Sequence, residues 1–328
     1  MRKHTKSRCP QTRAATGQVF ETARLPIRAG RLLRMWACVL AGFLPAVAAE
    51  KRSPNDAAAP IRGVDALPRE QRRAFLRGTS ADWRNDTDAA RALAPPPIQK
   101  AYPADAKRVD LVAPERFTVG DVSAREVIGN RRSRREFSAA SFSLEELSYL
   151  LWATQGIARI DRDGAGQVTA HYRTVPSGGA RHPFESYVAV SRVTGLAPGL
   201  YRYLPVEHQL LLLREDADIH DRVMAACYGQ TFIGQAAVTF IWSAVPYRTE
   251  WKYGVIAQKL IAIEAGHVCQ NLYLAVESLR AGVCSSMGYS QARLDALLGL
   301  DGTEEFVVYL ASAGKCGEAP DSGGTPEK

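Results

Sequence analysis

The sequence lacks the patterns that mark metal-binding, dinucleotide-binding and membrane-spanning proteins. Its six cysteines form no Cys-x-x-Cys pair, and no histidine lies at metal-ligand spacing from any of them. No Gly-x-Gly-x-x-Gly motif follows a strand pattern, which argues against a Rossmann fold. No apolar run is long enough to span a bilayer. We therefore predict no metal site and no stable membrane insertion, and scattered thiols are typical of a reducing compartment.

Excess positive charge is confined to the N-terminal part of the chain. The formal net charge is +8, from 42 Lys and Arg against 34 Asp and Glu in 328 residues. Residues 1–34 hold nine of the bases and only one acid, Glu21, so the remaining chain is electrically balanced. Because domains that bind nucleic acid are themselves basic, we predict no nucleic-acid partner.

Composition divides the chain into four parts. Residues 1–60 form a basic arm and linker, and residues 61–120 form a polar, proline-punctuated extension that we expect to wrap over a domain. Regular periodicity covers residues 121–316, which we predict to be the folded domain. Residues 317–328 have the composition of a disordered tail.

Residues 28–49 resemble a secretory signal peptide. A basic flank precedes a short apolar run, and small residues stand at Ala46 and Ala48. The run begins late in the chain, and Met35 is an alternative start of translation. The sequence thus leaves open export to the periplasm or outside and a location in the cytoplasm, with the cytoplasm slightly favoured.

The periodicity of the folded domain predicts an α+β fold, with helices packed on a mostly antiparallel sheet and one long central helix. Ser143 and Glu146 have the spacing of a capping box, and Phe142 and Leu147 that of a hydrophobic staple. Gly282 is placed to end the long helix. Predicted helices are Ala124–Asn130, Ser143–Gln155, Asp216–Tyr228, Glu250–Arg280 and Ser290–Leu298; predicted strands are Ser186–Arg192, Leu200–Leu204, Gln209–Arg214, Ala236–Val245 and Phe306–Leu310.

The segment Asn130–Phe137, NRRSRREF, concentrates four arginines around one serine. In an extended chain Arg131, Ser133 and Arg135 face one side. Planar guanidinium groups bind phosphate in a bidentate manner, and a serine hydroxyl adds a donor. From the arginines alone, a solvated basic loop paired with local acids such as Glu136 is the simpler alternative.

Other segments could carry chemistry. Two glycines in Thr174–Glu185 let backbone amides approach a flat ligand, although a plain turn explains them equally well. Lys252 and Tyr253 could transfer a proton to or from a substrate. The alternative is that Lys252 faces solvent and Tyr253 packs in the core. Gly266 inside a helix costs about 1 kcal/mol relative to Ala, which indicates that something packs closely there. His267 is predicted as an interior histidine, with a role as a base as the alternative.

The ordered combination of these segments resembles the FMN-dependent nitroreductase family. Within it, the sequence is most similar to the SagB-type (SagB/ThcOx) dehydrogenase branch, over about Tyr102 to Lys315. The segments that carry the resemblance are RRSRREF, SFSLEELSYLLWATQGI, RTVPSGGARHPFESYV, PGLYRYLPVEHQL, WKYG and EAGHVCQNLYLA. The resemblance implies a flavoprotein oxidoreductase with a nitroreductase-like fold that forms a homodimer, with FMN at the subunit interface.

The resemblance also implies roles for particular residues. Arg131, Ser133 and Arg135 match positions that hold the FMN phosphate and ribityl chain, and Arg132 is a further candidate. The loop of Pro176, Ser177, Gly178 and Gly179 matches the one beside the isoalloxazine, and Met287 and Gly288 match the loop over its reactive edge. Lys315 lies near a position that is often basic. Lys252 and Tyr253 match a Lys-Tyr pair proposed as catalytic in azoline dehydrogenases.

The loop around Arg181 and His182 departs from the family pattern, since it reads PSGGARHP where the family often has PSAGALYP. This makes the substrate side more polar and leaves the substrate open. The candidate reactions are oxidation of an azoline to an azole in a modified peptide and NAD(P)H-dependent reduction of a small nitro or quinone compound. A flavin-binding protein without turnover is the alternative of another class.

Overall fold

The computed structural model describes residues 68–78 and 86–317. All of these belong to the second of two compact units, Asn55–Lys328. The predicted basic arm with its signal-like segment, and the tail beyond Gly317, lie outside the described residues. No helix in the described part of the chain is long and apolar enough to cross a membrane.

Helices and strands alternate irregularly along the described residues. The α-helices are α1 (Arg69–Arg77), α2 (Ala124–Asn130), α3 (Leu144–Gln155), α4 (Ile219–Ala226), α5 (Thr231–Gln235), α6 (Tyr247–Tyr253), α7 (Ala257–Ser278) and α8 (Gln291–Leu298). The strands are β1 (Arg108–Asp110), β2 (Ile157–Arg162), β3 (Val168–Arg173), β4 (Phe184–Val190), β5 (Gly199–Leu204), β6 (Gln209–Glu215), β7 (Val238–Ala244), β8 (Ala281–Ser286) and β9 (Phe306–Lys315).

Seven of the strands form one sheet, in the order β1-β6-β5-β4-β7-β9-β8, and its neighbouring strands are antiparallel. β2 and β3 make a separate antiparallel hairpin. The predicted α+β fold with a mostly antiparallel sheet is therefore confirmed. β7 is buried at all seven positions, as its near-continuous apolar sequence predicts for a strand covered on both faces.

Helices cover both faces of this sheet. Successive strand residues point to opposite faces, so Val188 and Phe240 join the apolar core that includes residues of α3 and α7. Their neighbours Tyr187 and Ile241 join the core that includes residues of α4, α5 and α8. α7 thus lies centrally on one face of the sheet, where it can contact several loops.

The start of α3 is as predicted. The Ser143 hydroxyl accepts from the Glu146 amide at 3.1 Å, and the Ser143 amide donates to the Glu146 carboxylate at 2.8 Å, which completes the capping box. Phe142 and Leu147 are both fully buried in the same core.

The single helix predicted over Glu250–Arg280 is wrong. The chain breaks at Gly254, whose φ of 50° and ψ of −130° suit glycine, and a 3-10 turn over Gly254–Ile256 leads into α7. The helix ends at Ser278, and Gly282 lies inside β8, where a Cβ would stand 2.7 Å from Cys316 Sγ. The break places Lys252 and Tyr253 at a helix end.

Several short strands are absent from the sequence prediction. β1 has only three residues, β8 has small side chains and β2 alternates little. β3 does alternate, but it buries its polar residues His171 and Arg173. The segment before β1 lies against the sheet, since the Lys100 amide donates to Glu185 at 2.9 Å and Arg173 Nη2 donates to the Ile98 carbonyl at 2.9 Å.

Candidate functional site

The predicted site residues fall into two groups. We call the first the arginine edge; it comprises Arg131, Arg132, Ser133, Arg135, Met287 and Gly288. We call the second the glycine corner; it comprises Pro176, Ser177, Gly178, Gly179, Lys252 and Tyr253. Lys315 belongs to neither group.

The arginine edge runs beside β8. α2 ends where the Arg131 amide donates to the Val127 carbonyl at 3.0 Å. The chain then extends, so that Ser133 forms a parallel bridge with Val283 and the Arg134 amide donates to the Val283 carbonyl at 3.0 Å. The arginines are therefore presented along the outer edge of the sheet.

Tyr273 of α7 ties this segment to β8. Its hydroxyl lies 3.0 Å from Ser133 Oγ and accepts from the Ser285 amide at 3.1 Å. The guanidinium of Arg131 lies 5.4 Å from the centre of the Tyr273 ring. One aromatic residue thus positions both a hydroxyl and a cation.

The guanidinium groups of the segment differ in their partners. Arg134 pairs with Glu277, and the hydrogen bond to that carboxylate raises the pKa of Arg134. No described carboxylate lies within 4.0 Å of the other three guanidinium groups, those of Arg131, Arg132 and Arg135. The alternative of a loop neutralised by local acids such as Glu136 therefore accounts for none of these three.

The Met287–Gly288 loop lies at the same edge of the sheet. Met287 is 74% exposed. The Gly288 carbonyl accepts from Gln230 Nε2 at 2.6 Å, directly before α5. The guanidinium of Arg135 lies 6.0 Å from the centre of the Phe232 ring in α5. α5 thus brings together the loop and the end of the arginine segment.

Lys315 has a different environment. Its ammonium group pairs with Glu146, the capping-box residue of α3, and lies 5.3 Å from the centre of the Phe142 ring. Because Glu146 already balances its charge, Lys315 offers less to an anion than the arginines do.

The glycine corner forms where the loop after β3 meets the end of α6. The Gly178 amide donates to Glu264 Oε1 at 2.7 Å, and Ser177 Oγ accepts from the His182 amide at 2.8 Å. Gly179 has a φ of 56°, and a Cβ there would stand 2.6 Å from Tyr253 Oη and 2.8 Å from Lys252 Nζ. The loop backbone therefore lies directly against both predicted catalytic side chains.

Burial sets the protonation of this corner. Desolvation raises the pKa of the Glu264 carboxyl, although hydrogen bonds from Ser177 and Gly178 oppose the shift. Desolvation, and then the charge of Glu264, raise the pKa of Tyr253, while Arg181 opposes them. Tyr253 therefore keeps its proton at neutral pH.

The two groups lie at different levels of α7. Glu264 meets the glycine corner and Tyr273 meets the arginine edge. Nine residues separate them, which corresponds to about 14 Å along a helix axis. Within one chain the structure brings the residues of each group together but keeps the groups apart.

A groove of about 740 Å³ lies beside α7 and reaches Met287 of the arginine edge. Its lining is largely apolar and includes Ile261, Ala265, Met287 and Tyr309. Gly266 also lines it, and a Cβ there would meet nothing within 4 Å among the described residues. The close packing predicted around Gly266 is thus absent within the described part of this chain.

Sequence reasoning missed Glu264 and Tyr273, and it misplaced His267. The first two are buried, yet each holds a site loop through a polar atom, so a carboxylate within an apolar helix face was the available signal. His267 was predicted as an interior histidine; it is exposed. The reason is that the apolar residues of α7 face the sheet, and His267 lies outside this apolar stripe.

Comparison with known proteins gives the same picture as the fold. Residues 128–315 match the nitroreductase family. A protein of Methanocaldococcus jannaschii that carries the name nitroreductase is 32% identical over 197 residues, which cover 60% of this chain and 93% of that protein. The trifolitoxin-processing protein TfxB of Rhizobium leguminosarum bv. trifolii is 28% identical over 140 residues, 39% of this chain and 36% of that protein.

A solved structure extends the likeness to three dimensions. The crystal structure of a protein from Ralstonia eutropha JMP134, also named as a nitroreductase, superimposes with a TM-score of 0.52 at 27% identity. The match covers 69% of this chain and 96% of that one. Since the family match spans more than half of the sequence and the fold agrees, the chain belongs to the nitroreductase family of oxidoreductases.

Proposed function

We propose that this protein is an FMN-dependent dehydrogenase of the SagB type that works as a homodimer. The observation that carries the proposal is the glycine corner, where a positive-φ glycine lies against Lys252 and Tyr253. The arginine edge supplies the second requirement, a site for the phosphate of the cofactor.

The arginine edge fits a phosphate group. Its three guanidinium groups without a described carboxylate partner are those of Arg131, Arg132 and Arg135, and the Ser133 hydroxyl lies among them. A phosphate monoester carries close to two negative charges and accepts several hydrogen bonds, which is what such a donor set satisfies. The Met287–Gly288 loop belongs to the same edge, and its exposed Met287 side chain is available to pack against a flat ring.

The groove beside α7 fits the remainder of a flavin. Its volume of about 740 Å³ lies within the usual range for cofactor sites. It starts at Met287, next to the arginine edge, and its floor of Ile261 and Ala265 is apolar. Gly266 leaves the helix backbone uncovered at this point.

A second copy of the chain would complete the site. α7 exposes Ala262, Gly266 and Gln270 on one face, and Ile263 is 47% exposed. Antiparallel packing of two α7 helices about an axis near Val268 would place the Glu264 level of one copy beside the Tyr273 level of the other. The glycine corner of each chain would then approach the arginine edge of its partner, which one chain alone cannot achieve.

The residues around the cofactor have distinct tasks. Bound FMN would take up or give out a hydride. Tyr253, whose raised pKa keeps it protonated, is suited to donate a proton or a hydrogen bond, and Lys252 stands beside it as a second group that could exchange a proton with the substrate. Glu264 fixes the loop through the Gly178 amide and acts as a positioning residue.

Two substrate classes follow from this chemistry. The Lys252–Tyr253 pair favours oxidation of an azoline ring in a modified peptide, and similarity to a protein named for trifolitoxin processing supports this reaction. Reduction of a nitro or quinone compound by NAD(P)H is the second candidate, and the names of the Methanocaldococcus and Ralstonia relatives support it.

The first experiment asks whether the purified full chain is yellow and retains FMN through gel filtration. The holoprotein is then mixed anaerobically with NADH, with NADPH and with thiazoline-bearing peptides. We expect bleaching of the flavin by at least one of these reductants. A colourless protein that does not bind added FMN would refute the proposal, and a yellow protein that no reductant bleaches would identify a flavin-binding protein without turnover.

Turnover separates the two substrate classes. Formation of a thiazole, with a loss of two mass units from the peptide, supports the dehydrogenase. Oxidation of NAD(P)H that depends on a nitro compound or a quinone, without any change in the peptide, supports the reductase.

A further inference from the structure

A second cavity of about 740 Å³ opens on the other side of the glycine corner. The β2–β3 hairpin and the loop after it enclose it, together with the end of α6. Its lining includes Tyr172, Arg173, Pro176, Arg181, Trp251 and Lys252. It therefore shares Lys252 with the proposed catalytic pair, and a molecule in this cavity can reach that side chain.

The lining of this cavity is cationic. Arg173, Arg181 and Lys252 line it, and no carboxylate of the described residues does. The two nearby buried carboxylates already have partners: Glu185 pairs with Arg248, and Glu264 accepts from the Gly178 amide. Glu185 also acts on Arg173, but it is shared with Arg248 and Arg202, so the described residues leave the positive charge of the cavity only partly balanced.

Polar atoms around the cavity also lack hydrogen-bond partners. Arg173 is 8% exposed; its two Nη atoms donate to Gln155 and to the Ile98 carbonyl, but its Nε has no partner among the described residues. Nε of Arg181 is likewise buried and unpaired, although the guanidinium is stacked 4.9 Å from the centre of the Trp251 ring. Buried donors are almost always satisfied in folded proteins, so a row of unpaired ones indicates a missing acceptor.

Two histidines behind the cavity respond to the same charge. The rings of His171 and His182 lie 4.9 Å apart. Desolvation, followed by the charge of Arg173, lowers the pKa of His171 to about 3 and that of His182 to about 2. Both imidazoles are therefore neutral at physiological pH, and the positive field comes from the arginines and Lys252.

We infer that this cavity receives an oxyanion, the carboxylate or phosphate of a reactant that is brought to Lys252. The inference rests on the proposed function and specifies its substrate class as anionic. A planar guanidinium held against Trp251 is pre-oriented, so it binds a carboxylate or phosphate with little loss of side-chain freedom. The acceptor substrate and the pyridine nucleotide donor are the two possible sources of the oxyanion.

Paired reactants with and without an oxyanion test the inference in the flavin-loaded protein. The acceptor arm compares 4-nitrobenzoate with 4-nitrobenzamide, and the donor arm compares NADH with N-benzyl-1,4-dihydronicotinamide, which has no phosphate. The variant is Arg181→Gln. The matched control is Arg162→Gln in β2, where the exposed Arg162 donates to the Gly166 carbonyl at 3.0 Å and does not line the cavity.

We expect the Arg181→Gln variant to lose about 10- to 100-fold in kcat/KM for the charged member of one arm. Its neutral counterpart and the Arg162→Gln control should change less than about threefold. A loss confined to 4-nitrobenzoate identifies the acceptor as the source of the oxyanion, and a loss confined to NADH identifies the donor.

A measurement on the unmodified protein tests the same inference without depending on whether the variant folds. Inorganic sulfate should inhibit competitively against the charged reactant and leave its neutral counterpart unaffected. Equal effects of the variant or of sulfate on charged and neutral reactants, in a protein that retains FMN and is bleached, would overturn the oxyanion cavity alone. A protein that binds no FMN would overturn the proposed function and this inference with it.

Discussion

The arginine edge and the glycine corner both present cations beside glycines, but in opposite surroundings. At the edge, Arg132 and Arg135 are exposed and have no described carboxylate partner. At the corner, burial shifts the pKa of Glu264 and Tyr253 away from their usual values. The edge therefore offers charge for binding, whereas the corner offers groups whose proton affinity is set by desolvation.

α7 connects the two regions and also separates them. Each region uses a buried polar residue of this helix as its anchor, Tyr273 for the edge and Glu264 for the corner. A rigid helix fixes their spacing, so a ligand that touches both must lie along it or between two copies of it. Substitutions in α7 should therefore have the largest effect on how the two regions work together.

The largest effect is expected from Gly266→Leu, which should prevent two α7 helices from packing together. We expect a shift from dimer to monomer and a loss of FMN affinity of more than about 100-fold, because the edge and the corner would no longer meet. Analytical ultracentrifugation and FMN titration measure both.

Gly266→Ala is the graded control for this change. In an isolated chain it should only stabilise the helix by about 1 kcal/mol, since its Cβ meets nothing within 4 Å among the described residues. A Leu variant that remains dimeric and yellow would show that the site does not depend on this face.

The next effect concerns the corner alone. Gly179→Ala should lower turnover about 100-fold, because its Cβ would displace Lys252 Nζ and Tyr253 Oη, both under 3 Å away. Gly166→Ala is the matched control, since Gly166 also has a positive φ, of 79°, but no neighbour within 4 Å. Similar kinetics for the two variants would mean that backbone strain, and not the displaced pair, matters.

The edge is tested by Arg135→Ala. We expect FMN binding to weaken by about 1.5–3 kcal/mol, the range for a hydrogen bond to a charged group, while turnover of the loaded enzyme stays close to normal. Arg125→Ala removes the same charge from the exposed face of α2 and should leave the FMN dissociation constant unchanged. An unchanged constant in Arg135→Ala would place the phosphate elsewhere.

The smallest effect concerns the pH dependence of the folding stability, to which the buried His171 contributes. Burial, followed by the charge of Arg173, lowers the pKa of His171 from its usual 6.5 to about 3, so folding disfavours its protonation. Stability is therefore complete above pH 6.5 and is lost as the pH falls, by about 2 kcal/mol from this group at pH 5.

His171→Phe should remove that part of the pH dependence. Both ring nitrogens of His171 lack partners, so a ring without them should cost little stability at pH 7. Urea unfolding at pH 7 and pH 5 measures the difference, and His182 should leave a residual slope of the same sign. Parallel pH dependences for the two proteins would contradict the assigned shift.

Sequence patterns predicted the elements whose signals are local. The capping box at Ser143 and the apolar strand β7 are local features, and both are present. Gly299, which follows α8, adopts the left-handed conformation typical of a glycine after a helix. The break at Gly254 was missed because helical periodicity continues across it. The hairpin β2–β3 was missed because the alternating strand β3 buries its polar residues His171 and Arg173 instead of its apolar ones.

By itself, the sequence determined the family, the order of the chemically relevant segments and most of the helices and strands, because these depend on short-range periodicity and on residue types. Only the tertiary structure decided that Lys315 is paired with Glu146, that Glu264 lies under the glycine loop and that Arg173 and Arg181 surround one cavity. Burial and partners depend on residues far apart in the chain, so they become visible only once the fold has brought those residues together.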